Sequence, residues 1–369
     1  MLTTVDNSGD NFFAIIPAGG VGSRLWPLSR ASAPKFLHDL TGNGQTLLQD
    51  TWDRLRPLAA DKIMVVTGNV HAAAVAEQLP ELKAENLILE PSPKDSTAAI
   101  LLAAAVLQGR NPNVIIGSFA ADHVILDQDA FEKTVKEAIS VAEKGNIVTI
   151  GLKPTEASVA FGYIHKGDRL ESETAFRVST FEEKPSIALA KKYVESGEYL
   201  WNAGMFIAPA KLLLDVLLEQ EPELHKSVML LASAWGTQNQ EPELARVWPG
   251  LKKIAIDYAI AEPAAKAGLV AVVPGEFEWH DVGDFASIAE LQSQGRKGNL
   301  AVLGSAKVLS DSSSGILVSD TNRLVALIGL EDVIVVDTPD ALLITTKEHA
   351  QKVKSLVDAL KQTGHSELL

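Results

Sequence analysis

An unbroken apolar run, Phe12 to Pro17, leads straight into Ala18-Gly19-Gly20-Val21-Gly22-Ser23-Arg24, and this junction constrains the fold more than any other stretch. A short run without polar alternation reads as a strand buried on both faces. In an open α/β sheet the glycines then fall just past the strand's carboxyl end, where such sheets hold their ligands. Glycine permits conformations and close approaches that a β-carbon forbids, so the N–H groups from Gly19 to Ser23 are free to converge on an anionic oxygen. Arg24 adds a planar fork for two phosphate oxygens and Lys35 a mobile point charge, which together suit a polyphosphate better than a single carboxylate. The plain alternative is a tight glycine turn with Arg24 on the surface, and the two cations weigh against it. A dinucleotide fingerprint is excluded because Leu25 stands where the third glycine belongs and no acid ends the next strand near Thr67. A Walker loop is excluded because Gly-Lys-Ser/Thr is absent.

A chain of 369 residues with 46% apolar residues can bury a large core, and its length suggests one large domain plus a smaller one. The net charge of -14 argues against a general nucleic-acid or membrane-surface binder, so an anionic ligand must meet a local basic site. There is no cysteine, which rules out disulfides and thiolate zinc sites. No apolar run reaches membrane-spanning length, and Met1 to Asn11 lacks the basic start and apolar core of a signal peptide, so the cytoplasm is the expected location.

Along the chain, strands alternate with helices. Helical spacing covers Gln45 to Leu58, and buried strands are predicted at Lys62 to Thr67, Leu87 to Leu89 and Val114 to Phe119. Between the last two, Glu90-Pro91-Ser92-Pro93-Lys94-Asp95-Ser96-Thr97 precedes an Ala-rich helix, and Asp95, Ser96 and Thr97 are suited to cap it. Asp122 follows the strand Val114 to Phe119, a position from which a carboxylate can hold Mg²⁺ against substrate phosphates or, more plainly, cap the next segment. His123 reads as a structural neighbour, since imidazole suits zinc better than magnesium. Gly162 lets a backbone approach a ligand or forms a bulge. Glu183 and Lys184 are able to share a sugar hydroxyl and a phosphate between them, or to form an exposed ion pair, and Asn202 offers a donor and an acceptor together. Asp281 precedes Asp284, which is placed to cap the helix from Phe285 to Gln292. From about Lys297 six short β-rich runs alternate with turns, and an amphipathic helix from Glu348 to Lys361 closes the chain with Val353, Leu356, Val357 and Leu360 on one stripe.

The segment Gly19-Gly20-Val21-Gly22-Ser23-Arg24-Leu25-Trp26-Pro27-Leu28-Ser29-Arg30, followed by Pro34-Lys35, resembles the signature of sugar-phosphate nucleotidylyltransferases, and within them the mannose-1-phosphate guanylyltransferases. Glu182-Glu183-Lys184-Pro185, Trp201-Asn202-Ala203-Gly204-Met205-Phe206 and Trp279-His280-Asp281-Val282-Gly283 are similar to further motifs of that family. The resemblance implies a Rossmann-like mixed-sheet nucleotidyltransferase domain over residues 1–296 and a small β-rich domain over 297–369. It implies Mg²⁺-dependent transfer of GMP from GTP to mannose 1-phosphate, with Arg24 and Lys35 as catalytic cations and Asp122 and Asp281 on the metal. Ala18, Gly19, Gly20, Gly22, Ser23, Pro91, Ser92, Ser96 and Thr97 would bind the nucleotide. Gly162, Glu183, Lys184 and Asn202 would bind the sugar phosphate, with Asp257 and Tyr258 nearby, and a homodimer is compatible with it. Two other readings stay open: a related transferase with another base or hexose phosphate, and a nucleotide-sugar sensor that does not turn over.

Overall fold

The opening apolar run forms a central strand, β1 (Phe12–Ala18), in the computed structural model, which describes residues 11–171, 174–293 and 299–369. The chain continues through α1 (Leu47–Ala59), β2 (Ile63–Gly68), α2 (Ala72–Gln78), β3 (Leu87–Glu90), α3 (Asp95–Arg110), β4 (Ile115–Ser118), β5 (Val124–Ile125), α4 (Gln128–Ala142) and β6 (Ile147–Leu152). It then forms β7 (Tyr163–Arg169), β8 (Phe176–Glu182), α5 (Ile187–Ser196), β9 (Tyr199–Pro209), α6 (Ala210–Gln220), α7 (Pro222–Ala234), α8 (Gln240–Val247), α9 (Glu262–Lys266), β10 (Val270–Gly275), β11 (Trp279–His280) and α10 (Phe285–Ser293).

Nine of these strands make one mixed sheet in the order β3-β2-β1-β4-β9-β6-β10-β8-β7. Both faces are covered, which is why β1 carries apolar residues at every step. Phe12, Ala14 and Ile16 pack with Leu48, Trp52 and Leu55 of α1 and with Phe131 and Val135 of α4. Ile15 points the other way, into a core shared with Leu101 of α3, Leu213 of α6 and Val228 of α7. Helices α3, α6, α7 and α8 therefore build the layer on that face. β1 is parallel to β2 on one side and to β4 on the other. Strand order thus reverses between β1 and β4, opening a crevice at their carboxyl ends, where the glycine loop and Asp122 emerge.

Helix α1 begins as its sequence requires: Thr46 accepts the Gln49 N–H, and the Gln49 side chain accepts the Thr46 N–H. The remainder is a β-helix of β12 (Leu300–Gly304), β13 (Lys307–Asp311), β14 (Gly315–Ser319), β15 (Leu324–Ile328), β16 (Val333–Asp337) and β17 (Leu342–Thr346), closed by α11 (Val353–Thr363). β12, β14 and β16 stack in parallel, as do β13 and β15, while β17 returns antiparallel. The last helix differs from expectation. Lys347–Lys352 is a tighter 3₁₀ turn, regular helix starts at Val353, and Leu356 is 50% exposed, so the apolar stripe narrows to Val353, Val357 and part of Leu360. The expected boundary at 296/297 lies outside the described residues, as do Met1 to Asp10. Among the described residues no helix is long and apolar enough to cross a membrane.

Candidate active site

The chain leaves β1 at Ala18 and turns through Gly19, Gly20 and Val21, all exposed, into a 3₁₀ turn, Ser23–Leu25. Gly22 has a φ of +72°, and a β-carbon there would stand 2.6 Å from the Lys35 Cβ. Only glycine lets the loop lie against the Pro34-Lys35 segment. The contact is fixed by the Lys35 backbone N–H, which donates to the Val21 carbonyl at 3.2 Å. Arg24 points its exposed side chain outward and has no ion-pair partner among the described residues. Lys35 is the opposite: its side chain is 8% exposed, and its ammonium lies 2.9 Å from the Asp122 carboxylate while donating to the Asp281 carbonyl.

One ammonium therefore joins three parts of the chain. Asp122 follows β4 at the crevice, and Asp281 is delivered by a ribbon of β5 and β11 in which His280 pairs with Val124 and Trp279 with Ile125. This pairing continues towards Asp281 and Asp122. Burial alone would raise the Asp122 pKa, but the Lys35 ammonium beside it, with a smaller contribution from His123, holds its carboxyl below the ordinary value. Burial lowers the pKa of His123, which packs edge-on against Trp279 at 5.2 Å and leaves Nδ1 without a partner. Among the described residues no cluster of three or more acidic or imidazole groups could hold a metal by itself. Lys35 joins the Asp122 carboxylate to the Asp281 backbone, while the Asp281 carboxylate accepts the Gly283 N–H at 3.2 Å; oxygen donors of this kind are the type a hard divalent cation takes together with water and substrate phosphate.

Beyond Asp281 lies a cavity of about 150 Å³ lined by Phe161, Gly162, Glu183, Asn202, Asp257 and Asp281. A β-carbon on Gly162 would stand 2.5 Å from a Glu183 carboxylate oxygen, so a side chain here would push the Glu183 carboxylate from its place; the glycine precedes β7 without forming a bulge in it. Lys184, at a φ of +49°, turns its ammonium back onto Glu183 at 2.5 Å. Asn202 is 6% exposed: its oxygen accepts from Thr149 Oγ1 and from the Gly204 N–H, and its amide donates to Asp257 at 3.0 Å. Asn202 thus orients Asp257, whose carboxyl is pushed up to about 6, first by burial and then by the nearby Glu183 charge. Tyr258 is 49% exposed.

On the other side of the glycine loop, Pro91 and Ser92 are exposed after β3. Ser96 and Thr97 do not cap α3. The Ser96 hydroxyl accepts the Ile256 N–H at 2.9 Å, Thr97 is fully buried with its N–H donated to the Ile254 carbonyl, and the capping position falls on Lys94, whose side chain caps nothing and instead donates to the Pro249 and Leu251 carbonyls. These contacts tie the turn to the segment before Asp257, while the Thr97 hydroxyl is buried with no partner among the described residues. Glu90, which the sequence placed in a Glu-Pro turn similar to the family's base-side segment but gave no role of its own, ends β3 and is 7% exposed. Its carboxyl lies 3.9 Å from the place a Gly19 β-carbon would take, one oxygen has no partner among the described residues, and burial pushes its pKa up to about 7. The available signal was a lone acid at the end of an apolar strand.

A model of the nucleotidyl transferase family matches residues 13–298, and one of a mannose-phosphate isomerase/GMP-like β-helix domain matches 306–360. The mannose-1-phosphate guanylyltransferase of Escherichia coli (strain K12) is 35% identical over 368 residues, spanning 96% of this chain and 74% of that protein. The xanthan biosynthesis protein XanB of Xanthomonas campestris (strain ATCC 33913) is 37% identical over 361 residues, with 96% and 74% covered. A crystal structure described as mannose-1-phosphate geranyltransferase from Thermus thermophilus superposes with a TM-score of 0.84 at 31% identity, covering 95% of this chain and 99% of that one. The family model over residues 13–298 and the relatives above 30% identity settle the assignment: the chain belongs to the nucleotidyl transferase family.

Proposed function

We propose that the chain transfers GMP from GTP to α-D-mannose 1-phosphate, releasing diphosphate and forming GDP-mannose. The observation that carries this reading is the Lys35 ammonium held between the Asp122 carboxylate and the Asp281 carbonyl, on a segment bonded to the glycine loop that presents the exposed Arg24. A sugar phosphate already supplies an anionic oxygen nucleophile, so the protein needs no covalent intermediate; it must align that oxygen with the α-phosphate and offset the gathered negative charge. Loop N–H groups and Arg24 would hold the leaving diphosphate, assisted by Lys35 as it leaves Asp122. Lys184 would hold the phosphate of the sugar, while Glu183 and Asp257, the latter oriented by Asn202, would accept from its hydroxyls. Mg²⁺ held by Asp122 and Asp281 would supply Lewis-acid neutralisation of the phosphate oxygens.

Base choice is assigned to Glu90. An ionised carboxylate can accept both the N1–H and the N2 amino protons of guanine, whereas adenine presents an acceptor at N1. The same reading divides the chain into residues 1–296 for chemistry and 297–369 for support, in a cytoplasmic enzyme that forms homodimers. Four nucleoside triphosphates assayed against several hexose 1-phosphates, with diphosphate release as readout, test it. Release with GTP and mannose 1-phosphate above all other pairs is expected. Preference for another pair reassigns the substrates, and binding without release overturns the enzyme reading.

A further inference from the structure

The segment that carries Arg24 makes few buried contacts of its own, since Gly19, Gly20, Val21 and Arg24 are all exposed. The residues after it are anchored, and the anchor belongs to the β-helix. Leu25 is wholly buried in a core shared with Ile316, Val318, Ile334 and Val336. The Trp26 indole N–H donates to the Leu368 carbonyl at 2.7 Å. Arg30 donates from Nε to the Pro27 carbonyl and from Nη2 to Asp340, each at 2.7 Å, with its guanidinium 5.9 Å from the Trp26 ring centroid. The same domain reaches the other wall of the crevice, where the Gln351 amide donates to the Asp284 carboxylate that caps α10 shortly after Asp281.

We infer that the β-helix domain is a clamp on the phosphate loop, and that Trp26 and Arg30 are positioning residues that hold the Arg24 backbone ready for the triphosphate. The inference rests on the function proposed above. An exposed ion pair such as Arg30–Asp340 contributes little to global stability. Its weight lies in orientation: a loop left free must be ordered each time nucleotide binds, and that cost appears in nucleotide affinity. Neither Trp26 nor Arg30 needs to touch a substrate for this.

Trp26→Phe keeps the ring and deletes the donor, Asp340→Ala frees Arg30, and the double variant removes both ties. Each single change is expected to raise the KM for GTP about 2- to 10-fold, the range that a single net hydrogen bond spans. The KM for mannose 1-phosphate should stay unchanged. Trypsin cleavage after Arg24, followed by mass spectrometry, should quicken in the variants and slow again when GTP is added. An unaltered GTP KM with unaltered cleavage in the double variant overturns the clamp, and so does an equal rise for both substrates. If the unsubstituted protein releases no diphosphate from GTP, the functional reading fails, while the cleavage rates without nucleotide still decide whether the domain restrains the loop.

Discussion

Lys35 sits where its loss would leave the Asp122 carboxylate without its cation, whereas Arg24 is exposed and unpaired among the described residues, so their replacement should be told apart by stability. Both Arg24→Ala and Lys35→Ala are expected to lower kcat by about 10²–10³, the scale for removing one preorganised charge-stabilising group. Only Lys35→Ala should also lower Tm, read by calorimetry. Asp122→Asn should shift the divalent-metal titration of activity to higher concentration; an unchanged titration would remove Asp122 from the metal. Glu90 gives a pH test. In the folded protein its proton is held up to about 7, against an ordinary 4.5, so ionising it costs stability as pH rises from about 4.5 to 7. Unfolding titrations of Glu90→Gln should lack that loss, and its GTP affinity should lack the decline expected in the unsubstituted protein below pH 7. The places of Arg24, Lys35, Asp122 and Asp281 were legible because each sits at a strand end or beside a glycine turn. The pairing of Lys35 with Asp122, the isolation of Glu90 and the turning of Asn202 onto Asp257 were not, since each is a contact across the fold that no local spacing encodes.

At the level of elements, long apolar runs announced their own strands, as β1, β2 and β4 show. The ribbon of β5 and β11 was invisible, because two residues per strand are too few to show a period. Yet that ribbon places Asp281, and side-chain direction in a strand alternates, so a one-residue slip would turn the acid to the wrong face. The approach of β7 to the end of β8 is equally tight. Gly162→Ala inserts a methyl group 2.5 Å from a Glu183 oxygen, and is expected to raise the KM for mannose 1-phosphate about tenfold while leaving that for GTP nearly unchanged, as steady-state kinetics with each substrate varied would show.

For the whole molecule, the shared core of Leu25, Leu40, Phe285, Ile316, Ile334 and Val336 ties catalytic sheet and β-helix into a common packing unit. Ile334→Ala should therefore cost about 2–5 kcal/mol and lower the unfolding of both parts together, as seen by calorimetry. A second β-rich part was announced by its turns, but not that its coils would lean on the signature loop, because apolar strands do not name the surface they cover. The bond from Lys35 to the Asp281 carbonyl spans 246 positions of the chain. Loops of that length close late relative to local helices and neighbouring strands. During refolding from denaturant, then, secondary structure should return well ahead of turnover, and any newborn chain halted before Asp281 would hold all nine strands of the large sheet while its Lys35 ammonium lacked the carbonyl that fastens it.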